Sequence, residues 1–180
     1  MNRIPPVDHA ATTGHVRALL DGVQKGLGVL PTMFRVAAQS PAGLEALTGL
    51  FGAVSKGRMN ARTREAVALT VSEIDRCYYC LSAHSALGKG AGLTDAELLA
   101  ARSASSEDPR LAATLRFARA VTEQRGHVTD ADLAAVRAAG LSDAELVELV
   151  ANVALTTFTN YLNEVAATPI DFPPVHHRAR

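Results

Sequence analysis

Tryptophan is absent from this chain, and phenylalanine and tyrosine together supply only 4% of its 180 residues. Sheet sandwiches lean on aromatic and β-branched side chains to fill their pleated faces. A chain poor in aromatics and rich in alanine favours closely packed helices instead. Neither sign of charge is in excess, since 18 basic and 18 acidic residues give a formal net charge of zero. The basic field that draws nucleic acid or an anionic membrane surface is therefore missing. No apolar run reaches the roughly 20 residues that span a bilayer. Met1-Asn-Arg-Ile-Pro-Pro lacks the apolar core of a signal peptide. The expectation is a cytoplasmic protein with no nucleic-acid and no membrane partner. A length of 180 residues suits one domain, 1–180, with a single substantial core.

Cysteine is scarce as well, and its placement is the strongest signal in the chain. The only two, Cys77 and Cys80, are separated by Tyr78 and Tyr79, and His84 follows four residues after Cys80. On a helix these three side chains share one face. Two thiols so close can form a disulfide with little rearrangement, and an imidazole one turn away can take or give a proton. In the cytosol a lasting structural disulfide is disfavoured, so the pair reads as catalytic, redox-active or metal-binding. The thiolate is the reactive species. A free cysteine has a pKa of about 8.5, and C-x-x-C placement at a helix start lowers it to roughly 3.5–7.5. Ile74-Asp75-Arg76 forms a polar break between an apolar-periodic run ending at Glu73 and a new helix over 77–87, with Gly88 and Gly90 as stops. Free N–H groups at that start favour a negative sulfur, and Arg76 stands beside it.

Helical signals run the length of the chain. Val16, Leu19, Leu20, Val23 and Leu27 recur at helical spacing over 13–25, with Gly26 and Gly28 as terminators. A short helical turn follows over 31–38. Ser40-Pro41 is an N-cap with proline at the first helical position, opening a helix to about 55. Asn60 caps the next, to 73. Asp108-Pro109 opens a helix to about 125, and Thr129 caps another through 138. Thr94-Asp-Ala-Glu97 and Ser142-Asp-Ala-Glu145 are capping boxes, set in near-identical octets at 91–98 and 139–146. The last helix spans 142–167 and stops at Thr168-Pro169. The tail, about 168–180, reads as extended and mobile, with His176 and His177 solvated.

The core at 56–90 resembles the alkylhydroperoxidase D-like proteins of the carboxymuconolactone decarboxylase superfamily. Arg64-Glu65, eleven residues, Cys77-x-x-Cys80, three residues and His84 stand in that family's register. The flanks agree: Lys56-Gly-Arg-Met-Asn-Ala-Arg-Thr-Arg-Glu-Ala-Val-Ala-Leu before the cysteines and Ser82-Ala-His-Ser-Ala-Leu-Gly88 after them. Leu27-Gly-Val-Leu-Pro-Thr-Met-Phe34, Ser40-Pro41 and Thr159-Asn-Tyr-Leu-Asn163 are similar to the peroxidase-related branch. The resemblance implies an all-α helical bundle, a homo-oligomer and thiol peroxidase chemistry. It gives Cys80 the attack on the peroxide, Cys77 the resolving role, and Glu65 with His84 the proton relay. It implies an organic hydroperoxide or peroxide substrate and a dithiol reductant of lipoyl or thioredoxin-like type, with no cofactor and no metal. Studied members carry a histidine where this chain has Tyr79, and a tyrosine, with a pKa of about 10, is a poor base near neutrality. The helical spacing agrees with these roles: His84 lies one turn from Cys80, while Cys77 is expected nearer solvent, open to the reductant.

Other readings stand beside this one. Glu65 could be a surface charge paired with Arg62 or Arg64. His84 could be a structural histidine, and the two thiols a buried inert pair. Cys77, Cys80, His84 and Glu65 are all legitimate zinc ligands, although no second ligand pair accompanies the single C-x-x-C. Tyr78 and Tyr79 read as packing or rim residues. Asn160 and Asn163 could line a pocket or an oligomer interface. Two function classes remain: a dithiol peroxidase or oxidoreductase, and a non-redox carboxymuconolactone decarboxylase-like enzyme or small-molecule binding protein. The cysteine pair discriminates, because lactone decarboxylation has no need of two thiols.

Overall fold

The computed structural model describes residues 2–177. Among them helix is the dominant structure and no strand occurs: α1 (Gly14–Leu27), α2 (Thr32–Ala37), α3 (Pro41–Ser55), α4 (Ala61–Asp75), α5 (Tyr78–Gly90), α6 (Asp95–Ala101), α7 (Pro109–Glu123), α8 (Asp130–Ala138) and α9 (Asp143–Ala166). The all-α expectation holds. Helices begin where the caps stand, because a side-chain oxygen there satisfies a first-turn N–H that no carbonyl reaches. Ser40 accepts from the Gly43 N–H and Asn60 from the Thr63 N–H. Thr94 with Glu97 and Ser142 with Glu145 close complete capping boxes.

α4 is the hub. Residues 66–72 are all buried, and the helix packs against α5, α6, α7 and α9. Val67, Leu69 and Val71 meet Leu115 of α7 and Leu149 of α9 in one apolar cluster. A second cluster joins Leu20, Phe34, Leu44 and Leu47 of α1–α3 to Leu155 of α9. Cys77, Tyr79, Cys80 and Ala83 form a third, against Met33 and Phe172.

The α4–α5 corner sets the cysteines. Ser72 C=O accepts from the N–H of both Arg76 and Cys77, and Arg76 takes a left-handed conformation, φ 57°. Cys77 is then itself the N-cap of α5, its sulfur accepting from the Cys80 N–H at 3.4 Å. α5 runs through Gly88 instead of stopping there, and the reason is packing: a Cβ at 88 would lie 2.7 Å from Leu98 Cδ2. Glycine lets α6 close onto α5.

α9 buries polar side chains beside its apolar ones and also exposes apolar ones. Asn152, Thr156, Thr159, Asn160 and Asn163 are buried, whereas Val147, Val150, Phe158, Tyr161 and Val165 face outward. Asn160 links two elements: Ser72 Oγ donates to its Oδ1, and its Nδ2 donates to Asp75 Oδ2 at 2.8 Å.

The tail is extended, as expected, but it is docked. Asp171 accepts from the Thr32 N–H and hydroxyl, at 2.6 and 2.7 Å. The Val175 N–H donates to Ser82 Oγ, and Arg102 donates to the His176 carbonyl. His177 is not solvated: its side chain is 2% exposed, with its ring 4.1 Å from that of Tyr78. Burial pushes its pKa down. Composition could not show these bonds, because each reaches to a distant element. Residues 178–180 of the expected tail lie outside the described residues.

Candidate active site

The spacing that put Cys77, Cys80 and His84 on one helical face does so on α5, and α4 brings Glu65 to it. His84 Nδ1 and Glu65 Oε2 are 2.7 Å apart. The surface-charge reading of Glu65 is not what the structure shows: Arg62 pairs with Glu97, and Arg64 donates to the Met59 carbonyl. Burial opposes a charge on His84, but the Glu65 carboxylate and its hydrogen bond outweigh it and raise the imidazole pKa. Among the described residues no hydrogen bond joins the His84 ring to either sulfur; the ring acts on Cys80 as a nearby positive charge.

Both cysteines are free and buried. Cys77 is 0% exposed and Cys80 2%, so the expectation that Cys77 lies nearer solvent is corrected. Helix starts are exposed only where nothing covers them, and here Met33 and the tail residue Phe172 do. The two thiols are hydrogen-bonded to each other and are pushed in opposite directions. Cys77 is raised by its bond to Cys80 and by burial. Burial pushes Cys80 up too, but the Cys77 bond, the His84 charge, and the Asn163 and Thr159 side chains prevail and lower it. Cys80 is the sulfur that ionises first, with Cys77 holding the proton.

Cys80, His84 and Glu65 line a cavity of about 110 Å³. Its other walls are mostly apolar, among them Leu27, Phe34, Phe51, Leu155 and Phe172. Tyr79, at the position of the resembled family's histidine, is 4% exposed. Its hydroxyl donates to Asp171 Oδ2 at 2.8 Å and accepts from the Met33 N–H. Burial, then Asp171, raises its pKa, so it is a strut between α5 and the tail. Tyr78, by contrast, is half-exposed at the rim. A zinc set does not assemble: among the described residues no three His, Cys, Asp or Glu side chains gather closely enough to hold an ion.

α9 and the tail supply what sequence reasoning left open. Asn163 Nδ2 donates to Cys80 Sγ at 3.2 Å, and Thr159 Oγ1 lies 3.7 Å from the same sulfur. The signal was present as polar residues one turn apart in an apolar helix, but spacing alone did not say which face was buried. Asp171 and Phe172 had no local signal.

Comparison with known proteins finds similarity over the same residues. Residues 41–124 match the carboxymuconolactone decarboxylase family model. That stretch, which holds Glu65, both cysteines and His84, is similar to the family. No curated protein matches the chain. Its fold is the AhpD-like one: a peroxidase-related protein from Ralstonia eutropha JMP134, described as an alkylhydroperoxidase AhpD core, superposes with a TM-score of 0.84 at 24% identity, covering 94% of this chain and 92% of the other. A peroxidase-related protein from Silicibacter sp. TM1040 gives 0.78 at 20% identity, covering 96% and 93%. The debrominase Bmp8, in its apo form, gives 0.81 at 21% identity, covering 94% and 92%. At such identities the likeness carries the fold, and the chemistry of this chain rests on its own residues.

Proposed function

We propose that this protein is a dithiol peroxidase or thiol–disulfide oxidoreductase, acting as a single domain in the reducing cytoplasm. One observation carries the reading. Cys80, the sulfur poised to ionise, opens on an apolar cavity that it shares with the His84–Glu65 pair, and a second free thiol stands beside it. An inert pair would show no such asymmetry, and lactone decarboxylation has no use for it.

The Cys80 thiolate attacks the terminal oxygen of an organic hydroperoxide. The S–O bond forms, the O–O bond breaks, and the alkoxide leaves, taking a proton from the His84–Glu65 relay. Cys77 then attacks the Cys80 sulfenic acid and expels water, closing a disulfide. An external dithiol reduces it. Because Cys77 is wholly buried, a slender lipoyl-type arm entering through the cavity fits better than the broad face of a thioredoxin-like protein. The apolar walls favour an alkyl or aryl hydroperoxide over hydrogen peroxide, since burying apolar substrate surface is favourable by roughly 25 cal/mol per Å².

A second electrophile deserves a parallel test. The fold is shared with a debrominase solved with 2,3,4-tribromopyrrole, and the apolar cavity beside a thiolate suits a carbon-bound halogen. There two thiols would give one disulfide, one C–H bond and hydrogen bromide. The experiment is to count free thiols before and after stoichiometric cumene hydroperoxide or a bromopyrrole, then map the disulfide by mass spectrometry. Loss of both thiols to a Cys77–Cys80 bond is the expected result with the hydroperoxide. Thiols that survive both reagents would refute the redox reading and return the non-redox one.

A further inference from the structure

Asn163 stands against Cys80 on a side that the cavity does not reach, since it is not among the cavity's lining residues. It is 3% exposed, and its Nδ2 donates to Cys80 Sγ at 3.2 Å. Its Oδ1 is buried and has no hydrogen-bond partner among the described residues. A buried amide kept for architecture has both ends paired, as Asn160 does one turn earlier, because an unpaired polar atom is costly. The orientation of Asn163 is therefore set by the sulfur. Thr159 is the weaker neighbour: its hydroxyl donates to the Thr156 carbonyl at 2.9 Å and must turn from it to serve a thiolate.

We propose that Asn163 is a catalytic residue of the dithiol chemistry, its amide N–H holding Cys80 in the thiolate form that attacks the substrate. This rests on the dithiol reading above. The titratable groups facing Cys80 are Cys77 and Tyr79 at the start of α5 and His84 one turn beyond Cys80, with Glu65 of α4 behind His84. α9 faces it with two neutral groups, Thr159 and Asn163, while Glu164 acts on Cys77. A neutral donor that pays no charge penalty of its own is what a buried anion needs when burial otherwise opposes it.

The test is the pH profile of Cys80 alkylation by iodoacetamide, read on the reduced full-length protein by quantifying the Cys80 peptide. Asn163→Leu removes the donor at similar volume and leaves the reagent's route through the cavity intact. A hydrogen bond to a charged group is worth enough to move the midpoint up by roughly 1–2 pH units, a fall of about 10- to 100-fold in thiolate at neutral pH. Asn163→Ala, which adds no bulk, keeps the test decisive where leucine disturbs folding. A midpoint unchanged in a folded variant of either kind overturns the proposal. Peroxide consumption on the same samples separates the two readings. A wild type that alkylates readily but ignores peroxide and bromopyrrole overturns the function, whereas an active enzyme indifferent to residue 163 overturns the role of Asn163 alone.

Discussion

Cys77 and Cys80 differ by what surrounds each sulfur. Cys80 accepts hydrogen bonds from the Cys77 thiol and an amide N–H and feels the charge of His84, while Cys77 caps a helix and keeps its proton. Cys80→Ser should therefore abolish peroxide consumption, and Cys77→Ser should stop at a Cys80 sulfenic acid that dimedone traps. Wild-type turnover in Cys80→Ser would reverse the two sulfurs. His84→Ala and Glu65→Gln should each slow the first step by roughly 10²–10⁴-fold, the range for loss of a general acid or base, as stopped-flow peroxide consumption would show. The His84–Glu65 pair also has a signature in stability. Its raised imidazole pKa means that folding binds a proton more tightly. The stabilisation is present in full below the unfolded value, about 6.5, and fades as pH rises through the higher folded value. The urea-unfolding gap between wild type and Glu65→Gln should be wide near pH 6 and narrow in alkali. A gap independent of pH would show that His84 is neutral throughout. The grouping of Cys77, Cys80, His84 and Glu65 was legible in the sequence because three lie at the cap or in the first turns of one helix and the fourth in a recognised register. Asn163 was visible but unplaced, since a helix's buried face follows from its neighbours.

Among the elements, helix starts were the most legible, because a cap is a local bargain between a side chain and the first-turn N–H groups. Ser40, Asn60, Thr94, Asp108, Thr129 and Ser142 all cap as read. Helix ends were less so. Gly88 looked like a stop and is instead a contact, and that difference makes a prediction. In Gly88→Ala the new methyl meets Leu98 at 2.7 Å and Leu93 at 3.1 Å. Overpacking of this kind costs typically 1–3 kcal/mol, so the urea midpoint should fall. A midpoint at or above the wild-type value, as helix propensity alone would give, would mean that α6 yields freely. The tail was misread for the opposite reason: its composition suggested solvation, while Asp171 and Phe172 find partners in α2 and α5.

At the scale of the whole molecule, α9 carries the argument. A helix that buries Leu149, Val153 and Leu155 beside asparagine and threonine, and still exposes Val147, Val150, Phe158, Tyr161 and Val165, departs from an ordinary surface helix with its polar outer face. Exposed apolar stripes of this kind mark association surfaces. We expect a homo-oligomer built on that face, in line with the sequence expectation. Light scattering should give a multiple of the 18.9 kDa chain mass at micromolar concentration, and paired Tyr161→Glu and Val165→Glu substitutions should shift it toward monomer. A monomeric wild type would leave the stripe without a partner of its own kind. All-α architecture was legible from composition and periodicity. The two separate apolar clusters meeting on α9 were not, because which helices share a core is decided by contacts far apart in the chain.

The docked tail bears on how the protein is handled at the bench. A purification handle fused behind residue 180 pulls on the stretch that brings Phe172 to the cavity wall and Asp171 to Tyr79. One fused in front pulls on a segment held by the Arg3 N–H to the Ala166 carbonyl, neither of which lines the cavity. Assays of a C-terminally tagged preparation are at risk of reporting the tag, and the front-end fusion, cleaved before use, is the sounder reagent.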